Sequence, residues 1–307
     1  MKYVEEIGDG DKARRLAERI NEEVNTQRQY RLMEFCGGHT HAIFRFGVHD
    51  LMPENLHYIH GPGCPVCVLP AGRIEAAIQL AESEDIILCT YADLMRVPAG
   101  QGDSLHKAKA RGADIRMVYS VTDALQIARK NPERQVVFFA IGFETTTPPT
   151  AAAIHIAKAE GLNNFTVFCN HLLTPAAMSH ILASGDASID GILGPSHVST
   201  IIGSHAYAEC CSSYQIPLVI AGFEPLDVIQ STLMLVQQVN QGRFEVENQY
   251  SRAVSESGNQ KAQALMEAAS NFADVAAAGD RAATLGAFRA LGGGCGNCHD
   301  DFRVDND

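Results

Sequence analysis

The chain has 307 residues, of which 46% are hydrophobic and 20% are charged, a composition typical of a globular protein with room for two domains. Acidic residues outnumber basic residues by 36 to 24, for a net charge of −12, so we expect no nucleic-acid partner, because phosphate binding requires a concentrated basic face. No apolar run reaches the roughly 20 residues that span a membrane, so we expect no membrane partner.

The N-terminal stretch MKYVEEIGDGDKARRLAERI predicts an amphipathic helix and lacks the apolar centre of a signal peptide. We therefore expect a cytoplasmic protein whose nine cysteines stay reduced. In that compartment, closely spaced cysteines are typical of metal ligands or redox groups and not of a disulfide framework.

Short apolar runs alternate with helical patterns along most of the chain, as in GRIEAAIQLAESE, VTDALQIARKNPE and TAAAIHIAKAEG, which is the arrangement of right-handed βαβ units. The runs lack a clean polar–apolar alternation and therefore suit strands that are buried on both faces of a parallel sheet. They are RLMEF (31–35), LHYIH (56–60), IILCT (86–90), IRMVY (115–119), VVFFAI (136–141), FTVFC (165–169), ILG (192–194) and LVIAG (218–222).

Eight such strands divide most simply into four and four, which predicts an α/β lobe over residues 1–142 and a second over 143–258. The similar stretches IGFETTTP (141–148) and AGFEPLD (221–227) support this division, and a single eight-stranded sheet is the alternative. After Gly258 an Ala-rich pattern predicts a helical hairpin over residues 259–307.

Three polar loops follow predicted strands, and ligands of open α/β sheets bind at the carboxyl ends of strands. CGGHTH (36–41) follows the first strand, HGPGCPVC (60–67) follows the second, and GFETTTPP (142–149) follows the fifth. The sequence therefore predicts that the three loops meet at one cleft.

The CGGHTH loop combines paired glycines, which allow a turn with positive φ and a close backbone approach to a ligand, with Cys36 and His39 at the start of a helix. Thiolate and imidazole together suit iron or zinc. The alternative is a Gly-rich turn with a capping Thr and surface histidines.

In the HGPGCPVC loop, Cys64 and Cys67 have a spacing that allows a disulfide, a metal chelate or thiol–disulfide exchange. The alternative is a chance pair of cysteines. Classical structural zinc is disfavoured, because no second CxxC follows at the spacing of a finger or a ribbon.

In the GFETTTPP loop, Glu144 is a single acid beside three hydroxyl groups, suited to orienting a histidine, carrying a proton or docking a partner. The alternative is a helix cap in which Thr145–Thr147 satisfy free backbone N–H groups and Pro148 or Pro149 begins the helix.

Other motifs that would indicate chemistry are missing from the sequence. It has no nucleotide P-loop, no GxGxxG and no G-x-S-x-G nucleophile turn. We expect core packing for the four remaining cysteines of the predicted strands and helices, Cys89, Cys169, Cys210 and Cys211.

The three loops, in this order, resemble the HypD family of [NiFe]-hydrogenase maturation proteins. The resemblance covers about residues 1–260. The stretches that carry it are MEFCGGHTHAIFRFG (33–47), HGPGCPVCVLPAGRIE (60–75), MRVPAGQGDSLHKAKARGADIRMVYS (95–120), GFETTTP (142–148), LGPSHVSTIIG (193–203), AGFEPLD (221–227) and VENQY (246–250).

This resemblance implies two Rossmann-like lobes with a central cleft and a role as an assembly scaffold more than a turnover enzyme. On such a scaffold, shared with a small HypC-type chaperone, the Fe(CN)2CO group of the hydrogenase is built, and a HypE-type partner supplies cyanide. The resemblance also implies that Cys36 and His39 hold or position the iron. Cys64 and Cys67 would be a redox-active pair, and Glu144 an essential polar group.

The C-terminal tail departs from the family pattern, which normally continues into a region where four cysteines hold a [4Fe–4S] cluster. From about residue 261 the tail instead resembles the end of cytochrome c′. Its CGNCH sequence has the haem c attachment pattern, with Cys295 and Cys298 as thioether cysteines and His299 as axial ligand. Only two of the four bundle helices are present, so we expect an incomplete haem pocket.

Three alternatives to the scaffold function remain open at the level of sequence. The chain could be a thiol–disulfide oxidoreductase that uses Cys64 and Cys67, or an electron carrier with haem on Cys295 and Cys298. It could also be a scaffold that binds its partners but completes nothing without the cluster region.

Overall fold

The protein is described by a computed structural model over residues 10–264, 266 and 267. It is a mixed α/β fold with two separate parallel sheets, as predicted. The alternative of a single sheet is excluded. Most of the predicted C-terminal hairpin, with Cys295, Cys298 and His299, lies outside the described residues.

The first sheet has five strands in the order β2-β1-β7-β8-β9, and every pairing in it is parallel. All five strands therefore end at one edge, here called the carboxyl edge. The strands are β1 (Tyr30–Glu34), β2 (Leu56–His60), β7 (Gly191–Gly194), β8 (Leu218–Ile220) and β9 (Val246–Asn248).

The second sheet has four strands in the order β4-β3-β5-β6, again all parallel. The strands are β3 (Ile86–Thr90), β4 (Ile115–Met117), β5 (Gln135–Gly142) and β6 (Phe165–His171).

Helices connect the strands, as βαβ units require. They are α1 (Gly10–Glu23), α2 (Gly37–Arg45), α3 (Ala71–Ala81), α4 (Leu105–Ala110), α5 (Val121–Lys130), α6 (Thr147–Ala159), α7 (Thr174–Ser184), α8 (Ser196–Ile202), α9 (Ala208–Tyr214) and α10 (Pro225–Gln241). None of these helices has both the length and the apolar character needed to cross a lipid bilayer.

Strand β1 shows why the apolar runs do not alternate. Successive side chains of a strand point to opposite faces of the sheet. Leu32 packs in the core on one face, with Val236 of α10, whereas Met33 packs in the core on the other face, with Met178 of α7. Both faces are covered by helices, so apolar residues are favoured on both faces of the strand and not at alternate positions alone.

The chain divides into two compact units in a way that differs from the predicted boundary at residues 142–143. One unit combines Met1–Cys67 with Leu173–Asn259, and the other combines Val68–Leu172 with the segment that begins at Gln260. Each unit holds four of the eight predicted strands, but the second unit is inserted within the first. A crossover connection lets a later strand join either edge of an existing sheet, so strand order along the chain does not fix which sheet a strand enters.

The ninth strand was not predicted. Val246–Asn248 lies at the edge of the first sheet, and its three side chains are only half-buried. Such a short edge strand carries no apolar run that would mark it in the sequence.

Phe138 is fully buried in the core of the second unit, with its ring edge-on to Tyr91. Phe138→Ala should lower the free energy of unfolding by about 3–5 kcal/mol, because it removes buried surface and leaves a cavity. Tyr119→Ala, at a side chain that is 99% exposed, is the control and should change it by less than about 0.5 kcal/mol. Equal losses for the two variants in chemical denaturation would contradict this packing.

Candidate functional site

Cys36 lies at the carboxyl edge of the first sheet, directly before α2. Its backbone is extended, with φ −153° and ψ 124°, and it forms the N-cap of the helix. Its carbonyl accepts hydrogen bonds from the N–H groups of His39 and Thr40, at 2.8 and 3.3 Å. The prediction that Cys36 and His39 begin a helix is confirmed.

The Cys36 loop (residues 36–41) and the thiol-pair loop (residues 60–67) touch through their backbones. A Cβ atom on Gly63 would lie 2.5 Å from the main-chain nitrogen of Gly37 and 3.0 Å from the carbonyl carbon of Cys36. On the other side of the Cys36 loop, a Cβ atom on Gly38 would lie 2.3 Å from the ring of Phe223. Gly38 and Gly63 are therefore required for close approach between parts of the protein, whereas neither Gly37 nor Gly38 has the predicted positive φ.

The Cys36 thiol is half-buried and surrounded by main-chain donors. Burial raises the pKa of Cys36, and the nearby carboxylate of Glu34 raises it further. Hydrogen bonds from the N–H groups of Gly38, His39 and Ser196 act in the opposite direction. Burial therefore keeps the thiol protonated, and the three N–H groups would stabilise the thiolate once the proton is lost.

His39 is completely buried, so the alternative of a surface histidine is wrong at this position. Its Nε2 atom lies 3.1 Å from the Ala221 carbonyl oxygen and 3.1 Å from Ser196 Oγ. Since the Ser196 hydroxyl itself donates to Ala221, both neighbours accept from Nε2–H. Burial lowers the pKa of His39, so the imidazole is neutral and Nδ1 carries a lone pair. Within the described residues, Nδ1 is buried without a hydrogen-bond partner.

Cys64 and Cys67 face each other across one turn. The N–H group of Cys67 donates to the Cys64 carbonyl oxygen at 3.2 Å and lies 3.2 Å from Cys64 Sγ. The hydrogen bond between the two thiols raises the pKa of Cys67. Cys67 is exposed and Cys64 is half-buried, and both are free thiols. The pair is therefore placed for exchange or for chelation.

The GFETTTPP loop lies in the second unit, after β5, and Glu144 within it is only 2% exposed. The predicted helix cap is only partly right. Pro148 and Pro149 lie in the first turn of α6, as predicted. However, the hydroxyls of Thr146 and Thr147 donate to the Phe143 carbonyl oxygen, at 3.1 and 3.3 Å, and do not cap N–H groups.

Three of the four cysteines expected in the core are buried, and burial raises the pKa of Cys89 to about 12. Cys169 is exposed, contrary to the prediction. It lies on β6, which is an edge strand of the second sheet within the described part of the chain.

The described residues bring together no group of three or more His, Cys, Asp or Glu side chains that could hold a metal ion. Cys36 and His39 supply at most part of a coordination shell. The described part of the chain also offers no ligand set that fits a [4Fe–4S] cluster, which uses four thiolates.

Two contributors to this site were not predicted. Ser196 accepts from the His39 ring, and its N–H group faces the Cys36 thiol. Glu34 is a wholly buried carboxylate that accepts from the Cys36 N–H group. An acid inside the apolar run RLMEF was the available signal, since buried carboxylates are rare unless they are paired.

Comparison with known proteins identifies the family. The family model HypD, described as the hydrogenase formation hypA family, matches residues 11–279. The chain belongs to the HypD family. The resemblance inferred from the three loops is confirmed, and the match extends 19 residues (279 − 260) into the stretch assigned above to the tail.

Individual HypD proteins are similar over most of the chain. The hydrogenase maturation factor HypD of Azotobacter vinelandii is 62% identical over 270 residues, which are 86% of this chain and 71% of that protein. HypD2 of Bradyrhizobium diazoefficiens is 62% identical over 268 residues, 85% of this chain and 70% of that protein. HypD of Escherichia coli K12 is 49% identical over 268 residues, 86% of this chain and 72% of that protein. These relatives favour hydrogenase maturation, and they give no support to an oxidoreductase or a haem electron carrier.

Gly38→Ala should lower the free energy of unfolding by about 1–3 kcal/mol, because the new methyl group overlaps the Phe223 ring. In a Phe223→Ala background the same substitution should cost clearly less, since the obstructing ring is gone. Gly63→Ala is the matched comparison, because its methyl group would meet backbone atoms and no side-chain truncation can relieve it. An equal cost of Gly38→Ala in both backgrounds, measured by chemical denaturation, would contradict the contact.

His171 provides a pH test in the second unit. Its Nε2 lies 3.0 Å from the Thr150 hydroxyl, and burial lowers its pKa below the ordinary value of 6.5. Between these two pKa values the unfolded chain binds a proton that the native state does not, so the stability should fall as the pH falls through this interval. The stability advantage of the wild type over His171→Gln should therefore shrink from pH 7.5 to pH 5. An advantage that does not change with pH would refute the assignment.

Proposed function

We propose that this HypD-family chain is a hydrogenase maturation factor that acts as an assembly scaffold, with iron as its cargo. The observation that carries the proposal is the Cys36 thiol, which is half-buried, faces three main-chain donors and lies on a loop in contact with Gly63 of the thiol-pair loop. On this scaffold the Fe(CN)2CO group of the hydrogenase would be built.

Cys36 serves as the thiolate that holds the iron. Burial keeps the thiol protonated while no cation is present. An arriving ferrous ion displaces this proton, and the N–H groups of Gly38, His39 and Ser196 then stabilise the thiolate. Soft thiolate ligands suit low-spin iron that carries CO and CN.

His39 holds or positions the iron. Its Nε2–H group ties α2 to Ala221, directly after β8, and to Ser196 at the start of α8. This hydrogen bonding fixes the ring and its tautomer, as the outer partner of a metal-binding histidine does. The other ring nitrogen, Nδ1, has no hydrogen-bond partner among the described residues, and its lone pair would bind the iron.

Cys64 and Cys67 act as the redox pair. Oxidation of the two thiols to a disulfide would form the S–S bond and release two electrons and two protons, which the reduction of a ligand precursor during ligand addition to the iron would consume. The turn in which the Cys67 N–H group donates to the Cys64 carbonyl oxygen places the two residues close together for this step.

Other proteins complete the site. A HypC-type chaperone supplies the further iron ligands that the described residues lack, and a HypE-type partner supplies cyanide. Glu144, buried in the second unit, serves as an essential polar group. No step of this proposal uses a [4Fe–4S] cluster or a haem.

Anaerobic purification of the chain with its small chaperone tests the proposal. The wild-type complex should carry iron and show infrared bands from bound CO and CN. Cys36→Ala should reduce the iron content and the band intensity by about tenfold or more, since it removes a metal ligand. Cys169→Ala, which removes an exposed thiol in the second unit, is the control and should leave both unchanged.

Full band intensity in Cys36→Ala would refute the placement of iron on this thiol. A wild-type complex without iron, CO or CN would refute the scaffold function itself. Rescue of hydrogenase activity in a strain that lacks its own maturation factor decides whether the chain completes its task.

A further inference from the structure

Glu34 is an unusual residue for its position. It is the last residue of β1, its side chain is 0% exposed, and its neighbours Met33 and Phe35 are buried apolar residues. Burying a carboxylate costs several kcal/mol unless hydrogen bonds compensate for the lost water. The contacts of this carboxylate therefore show what it stabilises.

The two carboxylate oxygens hold three different groups. Oε2 accepts from the N–H group of Cys36 at 2.8 Å. Oε1 accepts from the Thr40 hydroxyl and lies 2.9 Å from Nδ1 of His60. Thr40 is in the first turn of α2, whereas His60 is the last residue of β2, directly opposite Glu34 in the sheet. One buried side chain thus joins the Cys36 loop to the start of the thiol-pair loop.

The backbone of Glu34 adds a fourth connection. Its carbonyl oxygen accepts from the N–H group of Gly61 at 2.8 Å, at the point where the thiol-pair loop leaves β2. Beyond this point the backbones of Gly63 and Gly37 press together, so a small shift of either loop would break the contact. The hydrogen bonds of Glu34 hold both loops at this separation.

Among the hydrogen-bonded groups around Glu34, His60 lies nearest to the surface. Its side chain is 38% exposed, and its ring lies 5.2 Å from that of Phe44 on α2. Because Glu34 is inaccessible, His60 and Thr40 are the places where the arrangement can be altered with less disturbance of the core.

We propose that Glu34 is a positioning residue that fixes the Cys36 thiol against the thiol-pair loop, with Thr40 and His60 as its two side-chain hydrogen-bond partners. This inference rests on the proposed function, because its purpose is to hold the cargo iron within reach of the redox pair. Metal sites require their ligands to be held within about 0.5 Å of the productive geometry, and a carboxylate bonded to both loops supplies such support.

Thr40→Val and His60→Ala each remove one hydrogen-bond partner of Glu34 and leave Glu34 itself in place. The matched control is His57→Ala, on the same strand, where the exposed ring forms a hydrogen bond with the exposed Gln29 at 2.7 Å. Glu34→Gln and Glu34→Ala test the carboxylate itself. The amide keeps the shape and one acceptor, and the Thr40 hydroxyl and an Nε2-protonated His60 can turn to accept from its NH2 group. The alanine loses every side-chain contact.

The first measurement needs no iron. The anaerobic full-length chain is treated with iodoacetamide, and the modification of each cysteine is followed by peptide mass spectrometry. Thr40→Val and His60→Ala should speed the modification of Cys36 by about two- to tenfold, since one lost hydrogen bond changes an opening equilibrium by about that factor. His57→Ala should leave the rate unchanged, as should all three variants for Cys169.

The second measurement uses the iron-loaded complex with the chaperone. A displaced Cys36 changes the iron geometry, so the CO and CN bands of Thr40→Val and His60→Ala should shift in frequency. A merely structural loss would lower their intensity without moving them. Glu34→Gln should stay close to the wild type, and Glu34→Ala should lose most of its iron.

Unchanged Cys36 modification rates and unchanged band frequencies in both Thr40→Val and His60→Ala would overturn the positioning role, even if Glu34→Ala fails to fold. So would Glu34→Ala protein with wild-type iron and bands. A wild-type complex without the bands would instead overturn the scaffold function, while the alkylation rates would still decide whether Glu34 positions Cys36.

Discussion

The parallel pairing of β1 with both β2 and β7 is the constraint on which the thiol site depends. Its register places Glu34 beside His60 on one side and Leu193 on the other, so the three strands end together. Cys36 and the thiol-pair loop leave the sheet at this common edge, as does the segment that begins α8. A one-residue slip of β1 would turn Glu34 to the opposite face and remove its contacts with both loops.

The chemistry at this edge depends on neutral groups that are ready to become charged or coordinated. Burial keeps both Cys36 and His39 uncharged, yet each already has the donors or acceptors that fix its orientation. In the proposed function, binding of iron would be coupled to loss of the thiol proton, and the main-chain N–H groups would not need to move to receive the resulting charge. The close backbone contact at Gly63 leaves no room for a side chain at that position.

Much of this arrangement could be predicted from the sequence, because apolar runs mark buried strands and glycines mark close approach. Eight strands and the helix start at Cys36 follow from such local signals. The insertion of one unit within the other could not be predicted, because it depends on which strand β7 pairs with. The hydrogen bonds of Ser196 and Glu34 join residues far apart in the chain, and only the folded sheet brings them together.

The discontinuous first unit has a consequence for the order of events during synthesis. Strands β3 to β6 emerge from the ribosome in one stretch, whereas β1 and β2 must wait for β7 and β8. At roughly 5–20 residues per second, the 124 residues from Cys67 to Gly191 take about 6–25 s to make. Ser196 and Ala221, which orient His39, belong to this late segment. A nascent chain therefore presents Cys36 without its finished surroundings until the segment that contains Ser196 and Ala221 has been made.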